Sequence, residues 1–478
     1  MKYYMRTGDL KNVGFYLGHA MQAMSIIFLI PLIVFFIYHE KGSVYSFIIP
    51  SLLSFSLGTL LTKIQRNTST LKLRTSMIIA VLVWLWAGFC GALILMMYLD
   101  VSFINALVES ISAWTDTGIT MFTNVEILPK SILFLRSLEQ WIGGIGVVTL
   151  AIGTVISSGA SATKLYTSEA REDRIRPSIV NTMKVIWGIY ILFTLIGIVA
   201  YGLAGMHLFD AVNLCLTSIS TGGMSIKNAN VGAYGNNVIY IITMILMLLG
   251  GTSFLLHYRT FTGKFKSIFK DPQLRAMTGI IIVGTILIYL SSKVDLMSSV
   301  FHVISAVTTT GASLGPSSIF VAWTPFTLFL LVILMIFSGT TGSTTGGIKL
   351  NRVIIMFKSI AWEFRRILAP KGTVIRQQLN GRVIKDYEVR SIIIYILMYF
   401  IFICIGWAVF LFYGYDPLGS LFDIVTCQGN VGLSMGVINP NIAVIPKIMA
   451  MINMIVGRLE IIPVVLLVRS IVEVLRKK

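Results

Sequence analysis

Hydrophobic residues in this chain fall into long blocks, not into the short alternating periods of soluble elements. A helix that crosses a bilayer needs about 20 mostly apolar residues. Blocks of that kind lie at 22–38, 43–61, 76–98, 131–157, 180–204, 236–257, 276–292, 321–337, 391–413 and 444–468. Between them, apolar runs at 102–114, 206–219, 296–309 and 417–428 are too short to cross. These predict re-entrant half-helices, tolerated only where protein or a water-filled cavity shelters the backbone. From residue 76 onward the order long, short, long recurs four times. The pattern predicts an all-α multi-pass membrane protein with ten crossings.

Composition agrees. Of 478 residues, 56% are hydrophobic and 12% charged, against about 25% charged in a soluble domain; mean hydropathy is +0.84. A soluble enzyme, a disordered chain and a nucleic-acid-binding domain are excluded. The net charge of +18 therefore reports topology, not an acidic partner. Segments 1–20, 62–75, 159–184, 258–275, 349–390 and 469–478 hold 31 of the 38 Lys and Arg residues. The opposite loops hold Lys41, Lys130, Arg136, Lys227, Lys293 and Lys447, and Arg458 belongs to neither side. Basic residues crowd cytoplasmic loops, so both termini are expected in the cytoplasm and the half-helices outside. The polar stretch 359–390 reads as a cytoplasmic connector. The first 20 residues lack an apolar core followed by a small-residue cleavage site, so no cleaved leader is expected. Cys90, Cys215, Cys404 and Cys427 lie in apolar stretches without ligand spacing, as small hydrophobes with no disulfide or metal role.

Each half-helix is followed by a small polar loop: TDTGIT (115–120), STGGMS (220–225), TTTGAS (308–313) and GNVGLS (429–434). Internal repeats decide a fold, and these align on Gly118, Gly223, Gly311 and Gly432. Two residues later stands a hydroxyl: Thr120, Ser225, Ser313 or Ser434. Five residues earlier the side chain is small: Ala113, Ser218, Ala306 or Cys427. Twelve residues earlier it is Ala106, Ala211, Ser299 or Ser420, each followed by Leu or Val. Another glycine (Gly143, Gly250, Gly339, Gly457) follows 25 to 28 residues later. A lone glycine would mark only a tight turn. Four equivalent glycines can aim successive carbonyls one way and form rings of oxygen that replace an ion's hydration shell. Half-helices ending there also point their negative C-terminal dipoles at a cation.

These loops, with QWIGGIGVV (140–148), LLGGTSFLLHY (248–258), FSGTTGSTTGGIK (337–349) and GRLE (457–460), resemble the Trk/Ktr/HKT superfamily of potassium transporters. Two spans before the first repeat make the chain similar to the bacterial TrkH/TrkG branch. The resemblance implies a homodimer with one pore per subunit, in a bacterial cytoplasmic membrane, and a cytoplasmic ring of RCK-type nucleotide-binding regulators. Any nucleotide is expected on those regulators only. It places potassium against Thr117 and Gly118; Thr221, Gly222 and Gly223; Thr309, Thr310 and Gly311; and Asn430, Val431 and Gly432. Two departures stand out. Asp116 occupies a place where a neutral residue is expected, either drawing cations to the mouth or serving as a neutral structural acid. The fourth loop lacks the threonine pair of the third.

Two further features bear on gating. The run SGTTGSTTGGIK (338–349) is not a phosphate loop, because Ile348 separates Gly347 from Lys349 and no strand precedes it. It is either a kink or an intramembrane gate built on Gly339, Gly342, Gly346, Gly347 and Lys349; in the family, the corresponding loop is thought to obstruct the pore. Arg458 sits amid about ten largely apolar residues on each side, where a charge is costly and usually functional. It is either a barrier beside the ion path or the partner of a distant carboxylate. Glu460 is a poor partner for it, since residues two apart face different ways on a helix. Glu109, His302 and Asp423, in the half-helices, are expected to serve packing or loop anchoring.

The expected organisation is an N-terminal helix pair (1–70) and pore repeats at 71–177, 178–270, 271–385 and 386–478, the third carrying the gating loop and connector. The expected function is potassium uptake through a glycine-lined filter, with lipid, regulator and a second copy as partners and no nucleic acid. A proton- or sodium-coupled secondary transporter is the alternative. Inverted repeats with a midplane site fit poorly, because four copies share one orientation. No nucleophile–base pair or metal cluster suggests an enzyme.

Overall fold

The computed structural model describes residues 7–64, 71–146, 179–292, 294–370, 373, 375–379 and 382–475. The first helix begins well before the expected boundary at 22: Thr7–Ile27 is helical and, after one turn, continues as Pro31–Ile37. Its polar residues do not stop it because they find partners, as Asp9 does with Lys72 at 3.0 Å. It packs against Tyr45–Thr62 with backbones in near contact, where a Cβ at Gly18 would lie 2.6 Å from the Gly58 oxygen. Small residues allow such approach between membrane helices.

The unbroken long helices Leu73–Leu99, Ile179–Leu203, Pro272–Ser291 and Asp386–Phe412 open the four repeats. Each leads into a pore helix: Phe103–Trp114, Leu208–Ile219, Leu296–Val307 or Pro417–Gly429. The second long segments of repeats one, two and four are expected to be single crossings, and the structure breaks them, as the run 338–349 already breaks the third. Lys130–Ile145 stops at Gly146, where φ is 100°, and the rest of block 131–157 lies outside the described residues. Asn237–Gly250 and Phe254–Phe261 meet at a bend of 99°, and Val444–Leu459 and Ile461–Glu473 at one of 117°. Pro325–Ile336 runs into an extended segment in which Phe337–Ser338 pairs in parallel with Ile348–Lys349, before Leu350–Leu368 resumes as helix. Among the described residues, six helices are long and apolar enough to cross singly, or eight if each bent pair is one span. The shorter Lys130–Ile145 and Pro325–Ile336 occupy the remaining expected places.

All four breaks have one cause. The repeat glycine of each second segment faces the carbonyl four residues before the aligned loop glycine. A Cβ at Gly143, Gly250 or Gly457 would collide with the oxygen of Trp114, Ile219 or Gln428. In the third repeat the Gly339 N–H donates to the Val307 oxygen at 3.0 Å. The close contact fixes the second segment against the end of the pore helix, and the backbone turns away just beyond it. In the connector Gln378–Leu379 pairs antiparallel with Arg382–Val383, and Ile355, Trp362, Leu379 and Ile384 form a small apolar cluster of their own.

Candidate ion pathway

The pore helices end alike. In each, the N–H of the residue before the loop glycine reaches back five residues: Thr117 to Ser112, Gly222 to Thr217, Thr310 to Ser305 and Val431 to Thr426, at 2.8–2.9 Å. The preceding N–H bonds to the small residue noted in the sequence, Ala113, Ser218, Ala306 or Cys427. These paired bonds form the Schellman cap, which needs a left-handed residue, usually glycine. Here it is Asp116, Thr221, Thr309 or Asn430, with φ between 50° and 61°. A non-glycine residue in that conformation costs about 1–2 kcal/mol, so side-chain contacts must hold it there.

Beyond the cap the chain turns at Gly118, Gly223, Gly311 and Gly432, with φ of 84°, 68°, 73° and 105°. The four loops close on one another. A Cβ at Gly118 would lie 2.5 Å from the Gly222 oxygen; at Gly223, Gly311 and Gly432 it would collide with the oxygens of Thr310, Val431 and Thr117. Each loop's glycine thus abuts the carbonyl before the next loop's glycine, and the fourth returns to the first. Glycine is required because a side chain would occupy the place of a neighbouring oxygen. A cavity of about 410 Å³ lies against the ring, lined by the four glycines and the hydroxyl residues Thr120, Ser225, Ser313 and Ser434.

Three of the pore helices anchor their own loop. Glu109, His302 and Asp423 stand at the same offset before the loop glycine. They accept the N–H groups of Met121, Leu314 and Met435, at 2.5, 3.4 and 2.8 Å. Glu109 is also paired with buried Arg136 at 2.7 Å, whose guanidinium donates to Thr120 Oγ1 and the Ser225 oxygen. The sequence reading gave Arg136 no role beyond its place in a loop; a charge inside block 131–157 was the available signal.

Segment 338–349 lies against the capped ends of the pore helices. Thr221 Oγ1 is 2.9 Å from Thr344 Oγ1, and the Gly346 N–H donates to Thr309 Oγ1 at 2.9 Å. The N–H groups of Thr340 and Thr344 bond to the Gly251 and Gly250 oxygens, both at 3.1 Å. Gly339, Gly342 and Gly347 have positive φ, and Gly346 packs against the Gly429 oxygen. Lys349 folds back, its Nζ donating to the Thr345 oxygen and Oγ1. Only about 50 Å³ remains open among Gly144, Gly346, Lys349 and Arg458. A cavity of about 650 Å³, lined in part by Thr341, Lys349, Arg352 and Glu460, follows on the far side.

Arg458 joins the first loop to this segment. It bonds to Asp116 Oδ2 at 3.0 Å, the Thr344 oxygen at 2.7 Å and the Gly143 oxygen at 2.5 Å. Both side chains are buried, at 8% and 1% exposure. Asp116 is therefore a buried structural acid held in its cap by Arg458, and not an acid at the mouth. Glu460, as expected, pairs elsewhere, with Arg352 at 2.5 Å. In the fourth loop the Asn430 amide donates to Thr117 Oγ1 and the Met454 oxygen. Asp116, Thr221 and Asn430 thus spend their side chains on contacts between repeats, and Thr309 on segment 338–349 of its own repeat.

A sequence model of the TrkH family, described as a cation transport protein, matches residues 44–292 and 296–474. The chain belongs to the TrkH family. Family members similar to it include a cation transporter of Methanocaldococcus jannaschii, 38% identical over 96% of this chain and 95% of that protein. The Trk system potassium uptake protein TrkG of Escherichia coli is 30% identical over 97% of this chain and 98% of its own length. The crystal structure of the potassium transporter TrkH from Vibrio parahaemolyticus superposes with a TM-score of 0.85 at 26% identity, covering 96% of this chain and 98% of that one. The chain is thus an integral membrane protein of the TrkH family, built as the sequence pattern predicts around four pore loops.

Proposed function

We propose that this chain is a potassium uptake protein of a bacterial cytoplasmic membrane. Potassium, the cargo, loses its water among the oxygens of Thr117, Gly222, Thr310 and Val431, with Gly118, Gly223, Gly311 and Gly432 making room for them. Carbonyl rings substitute for a hydration shell in this way, and the pore helices add favourable C-terminal dipoles. The single observation that carries the proposal is the closed succession of glycine-to-carbonyl contacts around the four loops. Kinship with proteins named for potassium uptake supports the choice of ion.

Segment 338–349 acts as the gate in this reading. It separates the two larger cavities and hangs on hydrogen bonds that can be exchanged for water. Two subunits, each with its own pore, receive RCK-type regulators on the basic face that includes the connector 359–390. A bacterial strain stripped of potassium uptake, expressing the chain with a regulator, should regain growth on low potassium. Failure to grow with both proteins in the membrane would overturn the proposal.

A further inference from the structure

The four loops are alike in backbone but not in what holds them from behind. Gln140, on Lys130–Ile145, is fully buried. Its Nε2 donates to the Gly222 oxygen at 2.7 Å, and its Oε1 accepts the Met224 N–H at 3.0 Å. One amide therefore brackets Gly223, gripping the residues on either side of it. Three residues before the repeat glycine, the other copies carry Met247, Ile336 and Met454 in place of Gln140. Methionine and isoleucine have no N–H to offer a carbonyl.

We infer that Gln140 is a positioning residue that fixes the second-loop carbonyl and thereby sets the preference for potassium over sodium. The inference rests on the reading of the loops as the ion path. A smaller cation is held only if ring oxygens move inward, and a carbonyl tied to a buried amide resists that movement. The second bond, to Met224, keeps the amide from turning with its partner. Selectivity is then unequal around the ring, with loop two the stiff quadrant.

Gln140→Met tests this directly, because methionine occupies the equivalent place in repeats two and four. Gln140→Glu is the isosteric companion: it keeps an acceptor for Met224 but replaces the donor facing Gly222 by an oxygen. Purified parent and variants in proteoliposomes, with potassium and sodium in opposing gradients, give the permeability ratio; gel filtration and thermal melting report folding. Both variants should fold and lose about two- to tenfold in the potassium-to-sodium ratio, the equivalent of one net hydrogen bond. If only one folds, that one decides. An unchanged ratio in a folded variant, or loss of folding in both, overturns the assignment and leaves Gln140 a packing residue. A parent protein that carries no potassium, or does not prefer it, instead overturns the filter reading itself.

Discussion

Removing Arg458 should cost stability before it changes flux. Its guanidinium and the Asp116 carboxylate lie 3.0 Å apart, and both are buried. At a charge separation of roughly 4 Å and an effective dielectric near 20, their attraction is about 4 kcal/mol. Deleting one member of such a buried pair leaves the other charge uncompensated and costs about 3–5 kcal/mol. Arg458→Ala also abandons the Thr344 and Gly143 oxygens, so both the segment below the filter and the end of Lys130–Ile145 lose a donor. A lone barrier residue would behave otherwise: its removal would speed transport and leave folding intact. The double variant Arg458→Ala with Asp116→Asn removes both charges, and replacing a whole buried pair is often close to neutral. We expect each single variant to melt well below the parent and the double variant to recover about 2–4 kcal/mol of the summed loss. Melting of detergent-purified protein, with rubidium uptake per folded molecule measured alongside, makes the comparison. Strictly additive losses, or a stable Arg458→Ala protein that transports faster than the parent, would refute the anchoring role.

Two other outcomes follow from the geometry. Gly457→Ala places a methyl group on the Gln428 oxygen; such overpacking costs about 1–3 kcal/mol or more, so yield and melting temperature should fall, and a variant as stable as the parent would contradict the packing described. Shortening 340–346 removes the Thr344 and Gly346 contacts beneath the filter, so rubidium uptake into proteoliposomes should rise and depend less on the regulator. A folded deletion variant with unaltered, still regulated flux would reduce the segment to a kink.

The repeat was legible in the sequence because its constraints are local. A Schellman cap, a small residue at its carbonyl and a glycine at positive φ recur at fixed offsets, so Ala113 to Gly118 and its three counterparts could be aligned by counting. The break at 338–349 was legible from its glycines and hydroxyls; those in the other second segments were not. Hydropathy sees 236–257 and 444–468 as continuous apolar blocks, whereas the bends arise from contact of Gly250 and Gly457 with another helix's carbonyl. The early start of the first helix was hidden for a related reason: Asp9 finds Lys72 only once the chain has folded. Arg458 and Asp116 each drew notice as misplaced charges, but 342 residues separate them and nothing in either neighbourhood names the other. Gln140 begins the run QWIGGIGVV without a signal of its own, because its role lies in the Gly222 oxygen it touches.

If the four loops form one selective ring, Gly118→Ser must change what the ring selects. Within the superfamily that the loops resemble, serine at the first filter position accompanies sodium preference. Here its side chain would point at the Gly222 oxygen, only 2.5 Å from the Cβ position. Potassium and sodium flux through purified parent and variant, measured in mixed salts, gives the ratio. The expected result is a potassium-selective parent and a clearly lower potassium-to-sodium ratio in the folded variant. An unchanged ratio would mean that the first loop does not line the path, and the ring would have to be abandoned.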